Sequence, residues 1–278
     1  MDLRPLLGVV IALGVLGAVF GVLQRFWPAV PGLHRTRAAL TTDLVYWLLT
    51  PLLTRPLGRI AVIVAVAPAL WLLGRSLERD QLLHGFGPAA ALPGWLQAIL
   101  IVVLGDFVGY WMHRAFHRGR LWPFHAVHHA ARELTWTAAV RVHPLNEALS
   151  RMVQAVPFVA LGFSPLVVGA YLPFLTFFAI LLHANVRWDF GPLRHVVASP
   201  TFHRWHHADE GLARDRNFAG LLPLWDWLFG TLYLPRGVQP QRFGAQGEDV
   251  PDGWLAQQLF PFRARSPGVT VSASSSPG

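Results

Sequence analysis

Eight histidines stand in three short runs: "HRAFH" at 113–117, "HAVHH" at 125–129 and "HRWHH" at 203–207. His113 and His117 are spaced i and i+4, so on a helix they stack on one face, one turn apart. His125, His128 and His129 are spaced i, i+3 and i+4, and His203, His206 and His207 repeat that pattern. Imidazoles at such spacings can chelate a metal or line one cavity. Eight exceed the four ligands of a structural zinc ion, or the three of a catalytic one, so the count predicts two ions with about four or five imidazoles each. Imidazole suits iron, zinc, copper and nickel, and spacing does not choose among them. A zincin needs glutamate within HExxH, whereas Arg114, Ala115 and Phe116 separate His113 from His117. The absence of cysteine excludes disulfides, thiolate metal sites and thiol catalysis. The bland alternative is a proton-buffering or headgroup-binding surface, and chelating spacing beside apolar spans argues against it. His34, His84 and His195 stand alone and read as ordinary polar residues.

The elements that must position these rings belong to a membrane. The 278 residues are 53% hydrophobic and only 14% charged, against about a quarter charged in soluble chains. The net charge is +8, and all 23 basic residues are arginine. Nucleic acid would fit the charge but not the long apolar runs, so no nucleic-acid partner is expected. Residues 5–23 are long enough for one span. They are read as uncleaved, because only Arg4 precedes them and no small-residue cleavage site follows. Pro51 and Pro56 interrupt 43–57, which reads as an interfacial or partly inserted segment with Tyr46 and Trp47 at headgroup level. Residues 58–74 and 93–112 make two more spans, the latter running directly into His113. Residues 152–182 read as a hairpin of two short helices turning at "GFSP", 162–165.

The expected fold is therefore all-α: an integral membrane helical bundle of about 4–5 spans with a cytoplasmic, histidine-rich helical cap. Residues 1–105 supply N-terminal transmembrane helices, 106–234 a histidine-box catalytic domain that includes the hairpin at about 152–182, and 235–278 a partly disordered tail ending in "SPGVTVSASSSPG". With the N-terminus outside, residues 24–59, 113–151 and 184–278 face the cytoplasm. They hold 20 of the 23 arginines, as the positive-inside rule asks. All three histidine runs then share that side, and a bacterial inner membrane is the expected location.

The chain resembles the fatty acid hydroxylase and sterol desaturase superfamily of membrane oxygenases. The resemblance rests on "DFVGYWMHRAFH" (106–117), "WPFHAVHH" (122–129), "RVHP" (141–144), "LLHANV" (181–186), "SPTFHRWHH" (199–207) and "NFAGLLPLWDWLFGT" (217–231). It covers about 106–231; the earlier residues match only as apolar spans. It implies a non-haem di-iron centre at the cytoplasmic mouth of a helical bundle, using O2 to hydroxylate or desaturate a lipid C–H bond. The implied ligands are His113, His117, His125, His128, His129, His203, His206 and His207, with His183 a ninth and His143 a further candidate. The cofactors would be two iron ions, with zinc a contaminant of purified material. Two departures, Ala219 after the aromatic residue of "NFAG" and Trp227 in "WDW", touch no implied ligand.

Such chemistry belongs to the metal and O2, and the protein supplies binding and orientation. Asp106, at i−7 from His113, and Asn185, two residues after His183, are candidates to orient ligands from outside the metal shell. Glu133, Glu147, Asp189, Asp209 and Asp226 are further candidates. No dinucleotide or phosphate-binding motif and no fused haem domain is found, so electrons would come from a separate ferredoxin or reductase. A histidine-rich metal transporter or sensor is a rival reading, and would spread its ligands through several spans. A zinc-dependent membrane hydrolase is another.

Overall fold

The computed structural model describes residues 4–72 and 78–263. These residues are helical, and among them the only β pairing is two isolated bridges, Pro28 with Val186 and Ala208 with Phe243. The elements are α1 (Arg4–Phe26), α2 (Arg37–Leu49), α3 (Arg55–Leu72), α4 (Arg79–His84), α5 (Gly94–Phe116), α6 (Trp122–His129), α7 (Pro144–Leu161), α8 (Pro165–His183), α9 (Pro200–His206), α10 (Leu224–Leu228) and α11 (Trp254–Leu259). "SPGVTVSASSSPG", expected as a disordered end, lies outside the described residues.

Four helical stretches are long and apolar enough to cross a bilayer: Leu6–Phe26, Arg37–Pro68, Gly94–Phe116 and Pro165–His183. α1 leaves Leu7, Val10, Ile11, Val15 and Val22 each more than half exposed, which suits a helix whose outer solvent is lipid rather than water. One sequence expectation is corrected here. Pro51 does not break the helix, because a π-helical turn at Thr50–Thr54 joins α2 to α3. A wider turn absorbs the N–H that proline lacks, and Arg55 N–H then closes on Thr50 O.

α7 and α8 form a hairpin, turning where "GFSP" stands. Gly162 is left-handed (φ +68°), and a Cβ there would meet Gly87 N at 2.1 Å. Both Phe86 N–H and Gly87 N–H donate to Gly162 O. Ser164 caps α8 by accepting from Val167 N–H, while its own hydroxyl donates to Leu83 O. At this end of the bundle loops close on loops; every histidine run lies at the other end.

That other end is a cap packed around α2. Asp43, fully buried, accepts from Thr137 Oγ1 and pairs with Arg35 and Arg141. Trp47 Nε1 donates to Thr137 O and Thr50 Oγ1 donates to Val140 O, both at 3.0 Å. Phe20 of α1, Tyr46, Trp47 and Trp136 close over this node as an aromatic core. Part of the segment expected as a tail also belongs to the cap: Gln258 Nε2 donates to Tyr46 OH, and Phe262 packs on Phe124 and His143. Exposed hydrophobics elsewhere on 254–262 do not prevent this, since Gln257 is completely buried.

Asp43 holds Arg141 in a place where water cannot reach it, so an unpaired guanidinium there is costly. Asp43→Ala is expected to lower stability by about 3–5 kcal/mol, read as a large drop in Tm in detergent. Arg35→Ala, which removes the less buried partner, is expected to cost about 1 kcal/mol or less. Equal, small losses in both would contradict this reading of the node.

Candidate metal centre

Nine histidines from the three runs and α8 converge into two adjoining groups. His113, His117, His125, His129 and His206 form one, and His128, His183, His203 and His207 the other; within each, one nitrogen per ring lies within 4.8 Å of the rest. The groups abut where the His129 and His207 rings stack, 4.3 Å between centroids.

The identical spacing of the second and third runs is used in opposite senses. His125 and His129, four apart, serve the first group while His128 serves the second; His203 and His207 serve the second while His206 serves the first. On a helix the i+3 and i+4 positions differ by about 100°. A short helix between two metal positions can thus offer two rings to one and a single ring to the other. α6 and α9 do so from opposite sides. α9 is fixed for this by Pro200 at its first turn and by Ser199, whose Oγ accepts from Phe202 N–H.

The outer nitrogens decide which way the rings offer lone pairs. Nδ1 donates to a backbone carbonyl in His113 (Phe218 O, 2.7 Å), His128 (Arg141 O, 3.0 Å), His183 (Ala179 O, 2.7 Å) and His206 (Arg216 O, 2.8 Å). His117 Nδ1 lies 3.2 Å from Asp215 Oδ1, and His125 Nδ1 3.0 Å from Asn146 Oδ1. With Nδ1 carrying the proton, Nε2 is left as a bare acceptor. These Nε2 atoms point at one another: His113 to His125 at 3.0 Å, His128 to His183 and His183 to His203 at 3.2 Å, and His203 to His207 at 3.1 Å. Buried Nε2 atoms of His117, His129 and His206 have no hydrogen-bond partner among the described residues. Orphaned acceptors facing one another are what a cation would satisfy.

Burial also sets the charge state. Desolvation holds His128 down to about 4 and His125, His129, His203, His206 and His207 well below the usual imidazole range. His117 is lowered by burial too, partly opposed by Asp215, whose own carboxyl is lowered chiefly by its hydrogen bond with that ring. Neutral rings are the form that binds metal.

The acceptors are themselves held. Asp106 accepts from Gly220, Leu221 and Leu222 N–H at 3.1, 2.8 and 2.8 Å, and Asp226 accepts from Phe218 and Ala219 N–H, both at 2.8 Å. Two buried carboxylates thus fix five consecutive amides, and through them the Phe218 carbonyl that orients His113. A Cβ at Gly220 would lie 3.2 Å from Asp106 Oδ1, so a larger residue there would push on this carboxylate. Asp43 acts similarly on the second group, holding Arg141, whose carbonyl takes the His128 proton.

Two sequence candidates do other work. His143 belongs to neither group. Its Nδ1 accepts from Leu145 N–H, capping α7 ahead of Pro144, and its Nε2 contacts Gln258 O. Asn185 is spent on backbone: its Oδ1 accepts from Val30 N–H and its Nδ2 donates to Val30 O. Asp106 and Asp226 reach a ligand only through the 218–222 backbone, and Glu147 pairs with Arg151. Asp43, Asn146 and Asp215 are positioning residues that sequence reasoning missed. A lone aspartate in an apolar segment was the available signal for Asp43; Asn146 and Asp215 carried none.

A fatty acid hydroxylase family profile matches residues 98–231, the stretch that supplies all nine rings and both loop-fixing carboxylates. The chain belongs to the fatty acid hydroxylase and sterol desaturase superfamily. The chain is 27% identical, over 88% of its length and 72% of its relative, to an ornithine lipid hydroxylase of Rhizobium tropici. It is 33% identical to the human alkylglycerol monooxygenase over 49% of this chain, spanning only 30% of that protein. A rice very-long-chain aldehyde decarbonylase matches at 25% over 53% of the chain and 25% of its own length. No solved structure matches the chain at a significant level.

Asp106→Asn places an amide against three N–H donors and loosens the 218–222 turn. It is expected to lower metal affinity about 10–100-fold, measured by competition with a chelator on the folded protein, with little change in helix content. Unchanged affinity would remove Asp106 from the support of His113.

Proposed function

We propose that the nine histidines hold two iron ions, and that the protein is a membrane oxygenase that hydroxylates or desaturates a lipid C–H bond with O2 and external electrons. The observation that carries this is the inward set of bare Nε2 atoms in two adjoining groups of five and four. They lie at the end of a cavity of about 330 Å3 between α5, α7 and α8. His113, His125, His128, His183 and His203 line that cavity, so its occupant meets both groups. Held by these nine histidines, an iron pair would supply the O2 chemistry that oxidation of an aliphatic C–H bond requires.

The chain's own part is geometric. At six of the nine rings a carbonyl, carboxamide or carboxylate at Nδ1 keeps Nε2 unprotonated and aimed. The α5 and α8 walls, with Met112, Leu175, Phe178 and Ile180, exclude water and take an apolar chain. No side chain is needed as nucleophile. The relatives named for ornithine lipid and alkylglycerol substrates support a lipid substrate here. The arginine distribution supports a cytoplasmic site, and a bacterial inner membrane agrees with the Rhizobium relative. Arg118 and Arg214 stand near Asp215 beside His117, giving an acidic electron donor a basic landing surface next to the five-histidine group.

Protein reconstituted with iron, a reductase system and extracted membrane lipid under 18O2 is expected to yield a lipid carrying one 18O atom, or an added double bond with 18O in water. His128→Ala is expected to reduce turnover to background. Turnover without O2, with zinc in place of iron, would overturn the oxygenase in favour of a hydrolase.

A further inference from the structure

α7 is the one long helix of the hairpin that carries charge. Its Asn146, Glu147, Ser150, Arg151 and Gln154 recur every three or four residues, so they share one stripe. That stripe does not face water. All five line the same cavity as the histidines. The cavity is therefore two-sided, with the apolar walls of α5 and α8 facing a polar wall about 12 Å long. Room for it comes from Gly105 and Gly109 on α5, where a Cβ would meet Phe158 at 3.1 Å and Gln154 Nε2 at 3.3 Å.

The charges on this wall do not cancel. Arg151 Nε donates to Glu147 Oε1 at 2.9 Å, which makes a neutral pair. Arg55, from the first turn of α3, lines the same cavity. Its guanidinium makes no hydrogen bond or ion pair among the described residues, although Glu147 is close enough to act on it electrostatically. Asp106, also in the lining, is committed to three backbone amides. Arg55 is left as the charged side chain of the lining with no hydrogen-bonded partner among the described residues, inside a membrane bundle, where an unpaired charge marks a functional position. The stripe begins at Asn146, whose Oδ1 touches His125. The free charge and the metal centre thus share the cap end of the cavity.

Resting on the oxygenase reading, we propose that Arg55 and the polar wall of α7 bind the anionic headgroup of the lipid substrate, a phosphate or carboxylate. The acyl chains then lie along α5 and α8, and the carbon presented to the histidines is one near that headgroup rather than a distal methylene. Guanidinium is suited to this task because its planar donors match an oxyanion.

The test is binding, and is independent of turnover. Full-length protein in neutral detergent is titrated with phosphatidic acid, with diacylglycerol of the same chains, and with inorganic phosphate, and lipid retention is read by native mass spectrometry. Phosphatidic acid is expected to bind one to one, roughly tenfold or more tighter than diacylglycerol, and inorganic phosphate is expected not to displace it at equal concentration. Arg55→Gln should abolish that preference and Arg55→Lys should keep most of it, both with metal content unchanged. Leu175→Trp, which fills the apolar side, should block binding of both lipids. Equal binding of the two lipids, an unchanged preference in Arg55→Gln, displacement by free phosphate, or retention in Leu175→Trp would each overturn the proposal. If Arg55 acts as argued while no oxygen-dependent product forms, the fault lies with the oxygenase reading instead.

Discussion

Nine imidazoles buried against one another can be tolerated only as neutral rings, and each neutral ring brings one acceptor that needs a partner. Here six of the nine spend their proton on a carbonyl, carboxamide or carboxylate outside the cluster. What remains is a shell of inward lone pairs that no protein donor satisfies. Most of the fold can be read as the means of keeping that arrangement in place. α6 and α9 deliver rings to both groups, α5 and α8 deliver the rest at their cap ends, and backbone carbonyls set the tautomers. Those carbonyls need holding in turn, which Asp106, Asp226 and the Asp43–Arg141 pair provide.

The membrane makes the arrangement affordable. Long apolar helices need no water-facing side, so their cap ends are free to carry the site and their flanks to enclose a cavity. The same logic explains why α7 can bear Glu147 and Arg151 without facing solvent: its polar stripe turns inward. It also explains Asp43, an acid within an apolar stretch that is paired with two arginines and accepts from a threonine hydroxyl rather than from water.

The cluster histidines, the spans and the turn at 162–165 were legible because each is a local pattern: chelating spacing, run length, and a glycine–serine–proline turn. The split into five and four was not, since it depends on where two short helices meet in space. His143 misled because "RVHP" places an imidazole before a proline, where capping a helix and binding a metal leave the same trace. Asn185 misled because proximity to His183 in sequence says nothing of side-chain direction. The proline-bearing stretch 43–57 misled because a π-turn can carry Pro51 within a continuous helix. Asn146 and Asp215, each 21 or more residues from the ring it touches, left no sequence signal at all.

The central claim is that these rings grip two redox metal ions in adjoining sites of five and four ligands. Anomalous X-ray diffraction at the iron edge, from crystals of iron-loaded full-length protein, tests it most directly. Two peaks are expected, one within reach of His113, His117, His125, His129 and His206, the other within reach of His128, His183, His203 and His207. A single shared peak, or peaks lying away from these nine side chains, would contradict it.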